Sequence, residues 1–219
     1  MTITAVGFDL DETLAVPTRD RTAILADAVE TVDAPPLSRE SYLRVHGRNL
    51  TRESRTPIFA DLLAEHDAET DPETLARVYR EEIADAIAPL EGVESFIERL
   101  RERYRVGLLT NGPQMAQRDK LRTLGWADAF DASLVTGELD AGKPDPAAFE
   151  ALVDALGSDP GETVYVGDDV DADIAGASDA GLLAVQVTYD GGPEPSPRAA
   201  AHIPRERLIA DLPDLLASL

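Results

Sequence analysis

Two aspartates, Asp9 and Asp11, close an apolar run that begins at Val6-Gly7-Phe8. In an extended segment residues i and i+2 point to the same side, so both carboxylates can face one ligand. Carboxylates placed this way can act as a nucleophile, as an acid or base, or as oxygen ligands of a hard cation. Three further polar clusters follow apolar runs in the same manner. Thr110-Asn111-Gly112 comes after Val106-Gly107-Leu108-Leu109, Gly142-Lys143-Pro144-Asp145-Pro146 lies in the loop after Ala132–Val135, and Gly167-Asp168-Asp169 comes after Thr163–Val166. Singly, each has an ordinary reading. Asp-x-Asp and Thr-Asn-Gly are turn chemistry, Gly-Lys-Pro-Asp-Pro is a loop, and Gly-Asp-Asp caps a helix. Their conjunction, each behind an apolar strand, points to one shared site.

The elements that must position these clusters alternate. After the first strand, the stretch from Pro17 to Pro89 reads as helices with no convincing strand. Ala23 to Val32 has helical spacing, Pro35-Pro36 breaks it, and Ser38 caps a short helix. Another helix starts at Pro57, with Ile58, Phe59, Leu62 and Leu63 on one face. Asp71-Pro72-Glu73 is a capping aspartate followed by proline at the first helical position. Leu75, Val78, Tyr79, Ile83 and Ile87 then form one stripe. From Leu90 helices are expected at 93–100, 115–124, 147–156 and 174–180, with strands at 106–109, 132–135, 163–166 and 183–187. The region from Gly191 to Pro197 reads as a surface loop, and Leu208, Ile209, Leu212, Leu215 and Leu216 mark a closing amphipathic helix. Strands separated by helices imply an α/β fold, a doubly wound parallel sheet covered on both faces. Ligands of such sheets bind at the carboxyl ends of the strands, where the polar clusters fall. Residues 1–16 and 90–219 are therefore read as a Rossmann-like core, and residues 17–89 as a helical cap inserted over the site.

Charge narrows the partners. Twenty basic residues stand against 42 acidic ones, a net charge of −22, which repels nucleic acid and anionic lipid. An anionic substrate would be repelled as well unless a metal ion and local cations reverse the field in the site. Lys120 and Lys143 are the only lysines. Many carboxylates with few lysines suggest a protein adapted to a salt-rich interior, where screening acts over about 3 Å at 1 M. No run approaches the roughly 18 apolar residues of a membrane helix. The first eight residues lack a basic head and read as a strand rather than a leader. Cysteine is absent, which removes disulfides, thiol nucleophiles and thiolate metal sites. A cytoplasmic location is expected.

The four clusters, in order, resemble the motifs of the haloacid dehalogenase-like hydrolase superfamily. Gly7-Phe8-Asp9-Leu10-Asp11-Glu12-Thr13-Leu14 matches the first, Leu108-Leu109-Thr110-Asn111-Gly112 the second, Gly142-Lys143-Pro144-Asp145 the third, and Val166-Gly167-Asp168-Asp169-Val170-Asp171-Ala172-Asp173 the fourth. The resemblance spans Val6 to Val187. The insert after the first motif is similar to the family's small helical cap.

The resemblance implies a Mg²⁺-dependent phosphohydrolase acting on a small phosphomonoester. Asp9 would be the nucleophile that takes the phosphoryl group, and Asp11 the acid that protonates the leaving oxygen and then activates water. Thr110, Asn111 and Lys143 would bind the phosphate. Mg²⁺ would be held by Asp9, Asp11 through its backbone carbonyl, and Asp168. Asp173, or Asp169 in its place, would orient Lys143 or a metal-bound water. Dehalogenating members lack an acid at the position of Asp11, so its presence favours phosphatase or phosphomutase chemistry. Glu12 stands where many members have Gly, and Ala172 where many have Asn. A phosphate-accepting receiver domain would be shorter and lack the helical insert, and a binding protein that has lost activity would not keep the whole set. His46, His66 and His202 show no ligand spacing and read as surface or packing residues, and Trp126 reads as core. Arg44, Arg48 and Arg52 read as solvated helix charges or, in the less favoured view, as contacts to an anionic substrate.

Overall fold

The structure, a computed structural model, describes residues 2–219. Six parallel strands form the central sheet in the order β5-β4-β1-β6-β7-β8. They are β1 (Ala5–Phe8), β4 (Arg105–Thr110), β5 (Ala132–Val135), β6 (Thr163–Gly167), β7 (Leu183–Thr188) and β8 (Ala201–Pro204). The β1 strand sits in the middle, hydrogen-bonded to β4 on one side and β6 on the other. The ends of β1, β4 and β6 therefore lie side by side, which brings Asp9, Thr110 and Asp168 to one edge of the sheet.

Both faces are covered, as the alternating pattern requires. Val6, Phe8, Val106, Leu108, Val164 and Val166 pack on α5 (Val93–Arg101) and α9 (Leu208–Ser218). The opposite face, with Leu109 and Tyr165, packs on α7 (Pro146–Leu156) through Phe149, Leu152 and Leu156. Here Gly7 and Gly107 are required by close approach. A Cβ on either would lie 2.6 or 2.7 Å from a methyl of Leu152, so the helix rests on bare backbone.

Helices α1 (Arg21–Thr31), α2 (Arg39–His46), α3 (Thr56–Ala64) and α4 (Pro72–Asp85) share a separate apolar cluster built on Ile24, Leu25, Ile58, Phe59, Leu62, Leu75 and Tyr79. Ser38 caps α2 by accepting from the Ser41 N–H at 3.0 Å, and Asp71 caps α4 by accepting from the Thr74 N–H at 2.9 Å. The insert meets α6 (Gln114–Thr123) through an Arg80–Asp119 ion pair of 2.8 Å and backbone bonds from the Gln114 and Met115 N–H groups to Arg52 and Glu53.

Three elements differ from the sequence expectation. The helical stretch is bounded by a two-stranded antiparallel ribbon, β2 (Ala15–Pro17) with β3 (Ile87–Pro89). Ile87 belongs to this ribbon and not to the α4 stripe, because α4 ends at Asp85. Strands of three residues are too short to show a period of two. Edge strand β8 was also invisible, since only Ile203 of its four residues is buried. The helix expected at 174–180 begins earlier, as a π-helical turn over Val170–Ala175 that runs into α8 (Gly176–Asp179).

Candidate active site

The β1 carboxyl end presents Asp9, buried at the base of a cavity of about 530 Å³ between the sheet edge and the helical insert. Asp11 lies on the same side, as the i, i+2 spacing predicts, and lines the same cavity. Glu12 adopts φ +62°, the left-handed conformation that favours glycine. Its carboxylate accepts from Arg205 at 2.7 Å, and the Arg205 guanidinium lies 4.0 Å from the Tyr189 ring centre. Glutamate at this position is therefore strained in the backbone and tied down by an ion pair.

Lys143 is the hub of the buried network. Its Nζ donates to Asp9 Oδ1 at 2.7 Å, to Asp173 Oδ1 at 2.6 Å and to the Tyr165 hydroxyl oxygen at 2.9 Å, which uses all three ammonium protons. Tyr165 in turn donates to the Leu109 carbonyl at 2.8 Å. Burial works against the charged lysine, but Asp173 and Asp9 outweigh it and hold the ammonium well above the usual lysine range. Lys143 is thus a fixed cation.

Asn111 lines the cavity and holds the neighbouring loop as well. Its Nδ2 donates to the Lys143 carbonyl at 2.8 Å and its Oδ1 accepts from the Lys143 N–H at 2.9 Å. One N–H and the carbonyl oxygen of the amide thus pin the lysine loop to the end of β4, while the second N–H takes no part in these bonds. Thr110 is buried and lines the cavity.

The π-helical turn explains how Asp173 reaches the site. Its Oδ2 accepts from the Asp168 and Asp169 N–H groups, each at 3.1 Å, while Oδ1 meets Lys143. A Cβ on Gly167 would lie 2.3 Å from Asp173 Oδ2, so only glycine admits this carboxylate. Asp169 is exposed and accepts from the Asp171 and Ala172 N–H groups as a helix cap. Of the two candidates, Asp173 is the one bonded to Lys143, while Asp169 lines the same cavity with its carboxylate on the helix cap.

Carboxylate oxygens of Asp9, Asp168 and Asp173 lie within 4.8 Å of one another. Burial, with Asp173 and Asp11 adding to it against the pull of Lys143, raises Asp9 to about 7. Burial together with Asp9 and Asp173 raises Asp168 to about 8. Such crowding is what a hard divalent cation relieves, and an all-oxygen donor set suits Mg²⁺. Asp173 is engaged by Lys143 and two amides. Asp9 meets Lys143 through Oδ1, and Asp168 accepts from the Tyr189 hydroxyl at 3.1 Å and from Thr13 at 3.5 Å, which leaves these two the carboxylates with more to offer. The Asp11 side chain is not in this cluster.

Asp11 instead faces cations that the sequence did not single out. Lys120, 2% exposed, donates to both of its oxygens at 2.8 and 2.5 Å, and Arg21 donates to Oδ1 at 2.7 Å. Burial pushes Asp11 up, but Lys120 and Arg21 outweigh it and hold the carboxylate well below the usual range. Burial draws Lys120 itself down to about 8 against the attraction of Asp11. The insert supplies the rest of the wall. Tyr42, His46, Arg39, Arg55 and Tyr79 all line the cavity. His46, expected at the surface or in packing, stacks on Tyr42 with ring centres 5.6 Å apart and still reaches the cavity. Arg44 pairs with Glu65 at 2.8 Å, and Arg48 and Arg52 are exposed; none of the three lines the cavity holding Asp9. Trp126 is core, as expected.

The profile of haloacid dehalogenase-like hydrolases matches residues 3–181. The chain belongs to this family. Curated members include phosphatases similar to it. N-acylneuraminate-9-phosphatase of Rattus norvegicus is 37% identical, over 59% of this chain and 52% of that one. The chain thus spans about half the length of that relative. Phosphoglycolate phosphatase of Cereibacter sphaeroides is 32% identical over 98% of both chains. Among solved structures, a 2-haloacid dehalogenase from Pseudomonas syringae superposes with a TM-score of 0.71 at 28% identity, covering 99% of each chain. The family fold is therefore shared from end to end by members with different names, and side chains in the cavity have to decide between chemistries. No helix among the described residues is long and apolar enough to cross a membrane.

Proposed function

We propose that the protein is a Mg²⁺-dependent phosphohydrolase that acts on a small phosphomonoester through an aspartyl-phosphate on Asp9. The carrying observation is the pairing of Asp9, buried and held by Lys143 at 2.7 Å, with a second aspartate two residues on in the same cavity. In the first step an Asp9 oxygen forms a bond to phosphorus while the ester P–O bond breaks, and the leaving oxygen takes a proton from Asp11. In the second step Asp11 accepts a proton from water, whose oxygen attacks phosphorus; phosphate leaves and the Asp9 carboxylate is restored. Asp9, Asp168 and the Asp11 backbone carbonyl would hold Mg²⁺, which would supply positive charge against the phosphoryl oxygens. Lys143 neutralises charge on Asp9 and the transferring group, and the Thr110 hydroxyl donates to a phosphate oxygen.

Asp11 as placed here is in the base form that the second step uses, and its two cations must loosen for it to take a proton from water. To act as the acid it has to leave Lys120 and Arg21 and take up a proton as the substrate's charge arrives beside it. The presence of this aspartate weighs against dehalogenation despite the similarity to a 2-haloacid dehalogenase. The relatives named as phosphatases support the phosphomonoester class. We assign residues 1–16 and 90–219 to the catalytic core and residues 17–89 to a cap that covers the cavity, in a protein of a salt-rich cytoplasm.

The test is phosphate release from a panel of small phosphomonoesters in molar KCl, with Mg²⁺ or EDTA, beside Asp9→Asn. Release that needs both Mg²⁺ and Asp9 supports the reading. A folded protein that releases phosphate from no ester contradicts it.

A further inference from the structure

The cations that line the cavity divide by whether a carboxylate answers them. Lys143 has Asp9 and Asp173, and Lys120 and Arg21 share Asp11. Arg39 and Arg55 have no carboxylate partner among the described residues. Arg39, on α2, donates to the Tyr79 hydroxyl at 3.3 Å and lies 5.1 Å from the Tyr42 ring centre. Arg55, at the start of α3, is 5% exposed, and its Nε and Nη1 have no hydrogen-bond partner among the described residues. The buried Tyr42 hydroxyl beside them has none either. A buried guanidinium with unmet donors is costly and calls for a partner, and in a wall that faces the site cavity a bound anion is one that meets its charge as well as its donors. The local field agrees with this. Burial first, and then Arg55, Lys120 and Arg39, depress His46 to about 3, so the imidazole is neutral and the wall around it is cationic in a chain of net charge −22.

We propose that Arg55, with Arg39 and the Tyr42 hydroxyl, forms a binding site for a second anionic group of the substrate. The substrate is then a phosphomonoester that bears a carboxylate or a second phosphate a few bonds from the scissile phosphate. This rests on the phosphoester reading above and narrows it. The fork of a guanidinium meets the oxygens of either group bidentately, and the cavity of about 530 Å³ suits a small metabolite. Arg39 and Arg55 project from the insert, so this contact would also draw the helices onto a bound substrate.

The experiment is calorimetric titration of the Mg²⁺-loaded protein in molar KCl with three probes: methylphosphonate, phosphonoacetate and ethane-1,2-bisphosphonate. The second carries a carboxylate and the third a second phosphonate, so the two arms separate the sources of the anion. Wild type is expected to prefer at least one of them over methylphosphonate by about tenfold or more, the scale of a charge-assisted hydrogen bond. In Arg55→Met that ratio falls to within about threefold of unity, and Arg39→Gln shifts it in the same direction. Arg44→Met, which touches only the exposed pair with Glu65, keeps the wild-type ratio. No preference in wild type, or a preference that survives Arg55→Met, overturns the proposal. No preference alongside Asp9-dependent phosphate release would sink this inference and leave the phosphatase reading standing. Failure of every probe to bind, with no phosphate release, would sink both.

Discussion

Replacing Asp173 with Asn tests whether the buried lysine is held as described. The side chain keeps its shape and loses its charge. In the native arrangement one oxygen accepts from Lys143 at 2.6 Å and the other from two backbone N–H groups at 3.1 Å, in a residue only 1% exposed. An amide can accept on one side only, so its NH₂ must face either the ammonium or the amides. Removing one partner of a buried ion pair costs about 3–5 kcal/mol when the other charge is left alone. Lys143 still has Asp9 and Tyr165, which places the cost nearer the value of one charge-assisted bond, about 2–3 kcal/mol. For a chain of this length that lowers the unfolding midpoint by roughly 4–12 °C. Thermal unfolding followed by circular dichroism in molar KCl with EDTA measures it. Turnover should fall by about a hundredfold, because Lys143 and Asp9 lose the geometry that the third group fixes. A midpoint within about 2 °C of wild type, together with turnover within about threefold, would refute the claim that Asp173 positions Lys143.

Other perturbations follow from the same geometry. Lys120→Met removes the cation bonded to both Asp11 oxygens while Arg21 stays; kcat should fall at least about tenfold, with a smaller change in KM, in steady-state kinetics. Asp9 and Asp168 are raised by burial to about 7 and about 8, so without a divalent ion the folded state binds more protons than the unfolded one from about pH 4 upward. The unfolding midpoint in EDTA should therefore drop as the pH rises from about 5 to about 7, and Mg²⁺, taking the place of the protons, should flatten that slope. Equal slopes with and without Mg²⁺ would contradict the shared site. Asp11 is held low and loses its proton well below this window. With a net charge of −22, the folded state should gain stability as KCl rises towards molar concentrations, and full stability at low salt would end the reading of salt adaptation.

What the sequence disclosed and what it hid divide along one physical line. Asp9, Thr110, Lys143 and Asp168 follow apolar runs, and a parallel sheet necessarily brings such strand ends together. Asp173 was within reach of the same logic, because it sits a turn beyond Asp168. Lys120, Arg21, Arg39, Arg55 and Tyr42 lie on helices or at their ends. A charge on an amphipathic helix reads as solvated unless one knows what the helix faces, and that depends on how the insert packs against α6. The two arginine sets make the point. Arg44, Arg48 and Arg52 have regular spacing, yet the cavity receives Arg39 and Arg55 instead. The one local signal was Arg55, next to the start of a strongly apolar helix whose buried face is Ile58, Phe59, Leu62 and Leu63. Asn111 lies at a strand end and lines the cavity, and its amide also holds the Lys143 backbone, a contact that depends on where a distant loop returns and not on the local sequence.

The central claim is a covalent phosphoryl group on Asp9, and chemical trapping tests it most directly. The Mg²⁺-loaded protein would be mixed with a phosphomonoester that it turns over, quenched within one turnover and treated with borohydride, which reduces an aspartyl-phosphate to homoserine. Peptide mass spectrometry should find homoserine at position 9, and none in unreacted protein or in Asp9→Asn. Phosphate release at the wild-type rate with position 9 unmodified, or with the label on another residue, would contradict the mechanism.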